Sequence, residues 1–98
     1  MKIKEGQVVV AVLHTPREKV VGVLHEIGPA GIQLRGLELG YFDDWCAAIT
    51  ANEPHLPMSD QFVPMWRVER ISRDEDSPGA PSMSALFQQR TGLEFEDQ

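Results

Sequence analysis

Ninety-eight residues and 11.0 kDa, with 42% hydrophobic and 24% charged side chains, describe one water-soluble domain with a single core. These proportions exclude a disordered, collagenous, coiled-coil or membrane-bundle chain, and the longest unbroken apolar run, Val8 to Leu13, is far shorter than the roughly 20 residues a bilayer span needs. A net charge of −6 argues against a polyanionic partner, because affinity for nucleic acid rests on Lys and Arg releasing counterions from phosphates.

Lys2 and Lys4 precede the apolar run as in a secretory leader, but Glu5, Gly6 and Gln7 interrupt the pattern and no small-residue cleavage site follows. The one cysteine, Cys46, rules out an internal disulfide framework and a zinc site made of cysteines alone. Both features point to a cytoplasmic protein. The charge is unevenly spread. Residues 1–39 and 61–73 are weakly basic, the latter through Arg67, Arg70 and Arg73 against Glu69, while residues 40–60 and 74–98 hold the acidic excess. Such stretches keep a small domain in solution, and an acidic tail is also placed to shield a weakly basic face.

Residues 7–14, QVVVAVLH, are dense in β-branched side chains and precede the turn-like Thr15-Pro16-Arg17-Glu18, which predicts a first strand. Residues 19–27, KVVGVLHEI, predict a second, apolar on both faces, with Gly22 marking a bend or the close approach of another backbone. Gly28-Pro29-Ala30-Gly31 predicts a tight turn. In GIQLRGLEL, residues 31–39, Ile32 and Leu34 have one parity and Leu37 and Leu39 the other. Holding all four inward predicts a bulge or sharp curl at Gly36.

YFDDWCAAIT, residues 41–50, changes to helical spacing at Phe42, Trp45, Ala48 and Ile49, with Asp43 or Asp44 placed to cap the turn. Asn52 to Asp60 reads as loop. QFVPMWRVERI, residues 61–71, resumes strand character with its firm part from Met65 to Ile71, and Pro64 is confined to an edge, a bulge or a strand end. The ordered β unit is expected to stop near Arg73, before a Pro/Gly/Ser-rich linker. Ser82 or Ser84 then caps a short helix through Arg90, stopped by Gly92, with Met83, Leu86 and Phe87 as its apolar stripe. A helix this short must dock on its own sheet or on a neighbouring chain.

A curved three-strand meander, an insertion and a later strand resemble the Sm-like and Hfq-like small barrels. In that family a strand with a glycine followed two positions later by Leu bends around the barrel, and Gly22 and Leu24 match those positions. GIQLRGLEL is similar to the strand that follows, and FVPMWRVERI to the closing strands. The family's RNA-binding loops are not matched: Gly28 to Gly31 contains neither the Asp nor the Asn, Arg70 and Arg73 lack a following glycine, and Arg35-Gly36 lies in a different strand. The expected fold is mainly β. It is a small, strongly bent antiparallel barrel of Sm-like or SH3-like type over residues 1–73, with a helical insertion at about 40–60. A linker at 74–81 leads to a C-terminal helix and acidic tail at 82–98.

Chemistry has little to work with. His14, His25 and His55 lie in separate elements. A zinc site from His14, His25 and Cys46 or Asp43, or a Cys46–His55 nucleophile pair, requires the fold to gather distant groups, and no catalytic motif is present. We expect no catalytic residue, metal or cofactor. Met65 and Trp66 cannot share one face, so one of them is expected to point outward and, with Phe87, to meet a protein partner. The expected function is a non-enzymatic binding or assembly module that self-associates or pairs with a protein through its edges. Weak RNA binding through Arg35, Arg67, Arg70 and Arg73 is the alternative, and a small enzyme of another type the third.

Overall fold

The computed structural model describes residues 2–98. The strands are β1 (Val8–Leu13), β2 (Glu18–Gly28), β3 (Gly31–Glu38), β4 (Ser59–Pro64) and β5 (Val68–Arg73). Helix α1 (Phe42–Thr50), entered through a 3-10 turn at Leu39–Tyr41, lies between β3 and β4, and helix α2 (Met83–Thr91) follows β5. A second 3-10 turn, Met65–Arg67, joins β4 to β5, and a third, Phe95–Asp97, follows α2. All pairings are antiparallel, in the order β4-β3-β2-β1-β5. Among the described residues no helix is long and apolar enough to cross a membrane.

Hydrogen bonds at the two ends of β2 reveal how strongly the sheet bends. The Met65 N–H donates to Ala30 O (2.9 Å) just beyond the end of β2, and Arg67 O accepts from His14 N (2.9 Å) shortly before its start. Three residues reach about 11 Å at most, whereas a straight β2 would span roughly 35 Å. The strand therefore curls back. Its bend falls where Gly22 and Gly36 are cross-strand partners. A Cβ on Gly22 would lie 2.7 Å from the Gly36 Cα and 2.8 Å from Leu34 Cδ1, and one on Gly36 would lie 2.9 Å from the Gly22 Cα. The two missing side chains let the strands curve tightly while Leu34 fills the concave side.

Of the bulge or sharp curl expected at Gly36, β3 shows the curl and no bulge: its pairing with β2 runs unbroken through that residue, and its pairing with β4 extends up to it. Leu37 keeps its parity because the sheet is apolar on both faces. Val9, Ala11, Leu13, Val20, Leu24, Ile32, Leu34 and Val63 fill the concave side. Val8, Val21 and Leu37 face the other way, under Phe42, Trp45 and Cys46 of α1, Met58, Phe87 of α2, and Phe95. The register break lies instead in β2, where His25 has no partner on β3, and a second lies in β5, where Glu69 has none on β1.

Further expectations change. Met65–Arg67 forms the 3-10 turn, and the preceding strand takes Ser59 and Asp60 out of the expected loop. Pro64 is tolerated because the Met65–Ala30 bond sets the alternation so that Pro64 opposite Gly31 is a non-bonded pair. Neither Asp43 nor Asp44 caps α1; both stand in its first turn, where the helix dipole favours them. Segment 74–81 is anchored: Asp74 accepts from Met83 N (2.7 Å), Ser84 N (2.9 Å) and Ser84 Oγ (2.9 Å), and Asp76 from Ser82 N (2.8 Å).

Helix α2 has the termini its sequence requires. Ser82 accepts from Ala85 N at 3.1 Å, and Gly92 closes the helix at φ 77°. It docks on α1 of its own chain, Phe87 stacking on Trp45 with ring centroids 4.7 Å apart in the cluster that covers one face of the sheet. The ladder itself stays open: β4 and β5 are its two ends and do not pair with each other.

Candidate functional site

The residues singled out from the sequence are dispersed by the fold. Arg35 lies on β3, Arg67 in the 3-10 turn, and Arg70 and Arg73 on β5, with β2 and β1 between, so Arg35 and the β5 pair stand about 14 Å apart at ordinary strand spacing. Three of the four are already occupied. Arg35 reaches Asp60 at 3.4 Å, and Arg73 pairs with Glu75. Arg67 is a clamp: its guanidinium donates to His14 O (3.2 Å), Pro16 O (2.9 Å) and Glu18 Oε1 (2.9 Å), tying the 3-10 turn to the β1–β2 connection. Arg70 alone has no carboxylate within reach among the described residues.

Of the bulky pair, Trp66 points outward at 63% exposure, its indole edge-on to His14 at 6.1 Å, while Met65 packs against the concave core. Phe87 is fully buried against Trp45 and so lies inside this chain, not on a surface. The clamp and the two backbone bonds at either end of the turn hold Trp66 on a fixed support beside β5.

The two end strands differ in what they offer. The Asp74 N–H donates to Val8 O (2.9 Å), which sets the alternation along β5 and turns the N–H and C=O of Ile71 and Arg73 away from β1. Among the described residues nothing accepts or donates there. On β4 the same argument turns Asp60, Phe62 and Pro64 outward, and Pro64 has no N–H to give. Asp60 is held by Arg35, and His25 Nε2 lies 3.6 Å from it.

A cleft of about 390 Å³ beside β4, lined by His25, Gln33, Leu34, Asp60, Gln61 and Phe62, has no counterpart in the sequence reading. Phe62 is 56% exposed because its partner on β3 is Gln33, whereas Val63 takes the core position opposite Ile32. Its one signal in the sequence is the alternation of Phe62 with Val63.

The groups weighed for chemistry stay apart. His55 lies in the loop before β4, its Nδ1 2.9 Å from Glu53 O, and Cys46 is buried in α1. Burial pushes the Cys46 thiol up from its ordinary range, with Arg90 lowering it and Asp43 raising it by lesser amounts. Asp43 accepts from Arg90 Nη1 at 2.8 Å, latching α1 to α2. Among the described residues no three of His, Cys, Asp and Glu gather as metal ligands. Compared with known proteins, the chain matches no family model, no curated protein and no solved structure.

Proposed function

We propose that the protein is a non-enzymatic assembly module, an Sm-like or SH3-like small barrel left open between β4 and β5, that associates through the edges of its sheet with copies of itself or with a protein partner. The observation that carries this reading is the free backbone of Ile71 and Arg73 on β5, flanked by Trp66 on a rigid turn. An unpaired strand edge beside an exposed aromatic has both parts of a strand-addition site: main-chain hydrogen bonds for affinity and an apolar anchor for position. The bend at Gly22, with Leu24 in the concave core, supports the barrel description.

RNA binding has less support. Arg35, Arg67 and Arg73 are engaged with carboxylates of the same chain, so three of the four proposed cations are partly neutralised before any phosphate arrives. The test of assembly is mass in solution by light scattering. The expected result is a mass above 11.0 kDa at high concentration that falls in Trp66→Asp while the far-ultraviolet dichroism stays unchanged. An unaltered mass in that variant removes the Trp66 surface from the interface.

A further inference from the structure

We infer that the partner of β5 is β5 of a second copy, laid antiparallel about a two-fold axis at Ile71. The inference rests on the assembly reading above and names its symmetry and register. Three observations carry it.

The first is asymmetry between the two edges. β4 offers a proline that cannot donate and a charged aspartate paired with Arg35, so its edge is poorly suited to receive a strand. β5 has no proline, and its outward groups at Ile71 and Arg73 are free. A strand that pairs with its own copy must be compatible with itself.

The second observation is the order of side chains in VERISR. With Ile71 opposite Ile71 of the second copy, each step outward pairs Ser72 with Arg70 and Arg73 with Glu69. Every cation then faces a carboxylate or a hydroxyl, and no like charges stand opposite. Sliding by one position so that Ser72 is central would set Glu69 against Glu75 instead, and centring on Arg73 would oppose two guanidinium groups. Charge thus selects the Ile71 register.

The third is the backbone phase. Ile71 has its N–H and C=O turned outward, so two copies centred on it exchange both bonds directly, as a hydrogen-bonded antiparallel pair requires. Glu69 has no partner on β1, and its present ion pair with Arg17 at 3.7 Å, like that of Arg73 with Glu75, joins two exposed side chains, so both are readily exchanged. Trp66 of each copy falls at the rim of the contact. One strand pair is a small interface, and the dimer is therefore expected to dissociate on dilution.

A charge-exchange cycle tests this on the full chain. Wild type is expected to approach twice 11.0 kDa in sedimentation equilibrium as concentration rises. Arg73→Glu and Glu69→Arg each place like charges opposite and should each give the monomer mass, while the double variant Glu69→Arg/Arg73→Glu should restore the dimer. Thermal melting of each variant reports whether it is folded, and rescue by the double variant cannot come from misfolding. A wild-type mass of three or more copies, or single variants that dimerise as wild type does, overturns the two-fold pairing and leaves edge assembly standing. A wild type that stays monomeric at every concentration overturns self-association altogether.

Discussion

The two faces of the sheet are built from different materials. The concave face is aliphatic throughout, supplied by β1, β2, β3 and β4 themselves. The convex face has only Val8, Val21 and Leu37 from the strands at its buried centre and depends on an aromatic group brought by other segments: Phe42 and Trp45 from α1, Phe87 from α2, and Phe95 beyond it. Curvature explains the division. Inside a tight bend only compact side chains fit, with two glycines at the sharpest point, whereas the splayed outer surface has room for rings but too few strand residues to cover itself. The concave core is thus a product of the meander, and the convex core a product of the insertion and the C-terminal segment.

Truncation after Arg73 is the strongest way to separate the two. It removes Phe87 and Phe95, whose burial stabilises by about 3–6 kcal/mol together. The remaining strands should keep their far-ultraviolet signature while a hydrophobic dye binds the bared convex face. Complete loss of strand signal would mean that the concave core cannot stand alone. Gly36→Ala attacks the other side, since the new methyl meets the Val21 carbonyl and the Gly22 backbone, neither of which can yield easily. Overpacking of this kind costs about 2–3 kcal/mol, and urea unfolding should show a lower midpoint with no dye binding before the transition.

The smallest effect is a readout of the convex face alone. Because burial raises the Cys46 pKa, its thiol should resist alkylation at pH 8 and react at the rate of a free thiol in the truncated chain. The sign for stability follows: a thiol held protonated by folding contributes below its unfolded pKa near 9.0, and that contribution is lost as pH rises through the higher folded value. Fast alkylation of the intact protein would show that the convex core opens readily.

Local chemistry made much of this readable in advance. β-branched runs gave β1 and β2, the Gly28–Gly31 turn gave the hairpin to β3, and Ser82 with Gly92 bracketed α2. Of the bulge or sharp curl expected at Gly36, the bulge rests on assuming one core; with period two, Leu34 and Leu37 report two. Strand character is legible from Gln61 onward, but the start of β4 at Ser59 and its separation from β5 are not, because Asp60 and Pro64 are poor strand formers whose positions are tolerable only at an end strand. Whether Met65 or Trp66 faced solvent was undecidable from alternation, because both sit in a 3-10 turn where side chains do not alternate. The Arg67 clamp joins residues 49 to 53 positions apart, and no local pattern announces such a contact.

That clamp also fixes an order of events during synthesis. The first three strands can zip together as neighbours soon after they leave the ribosome, but the bond from residue 67 back to residues 14–18 closes a long loop and must wait until most of the chain has emerged. Until then the nascent meander has no last strand, and the β1 side that β5 later covers lies bare. The growing polypeptide is therefore most vulnerable to sticking to its siblings in the interval between the third strand and the fifth.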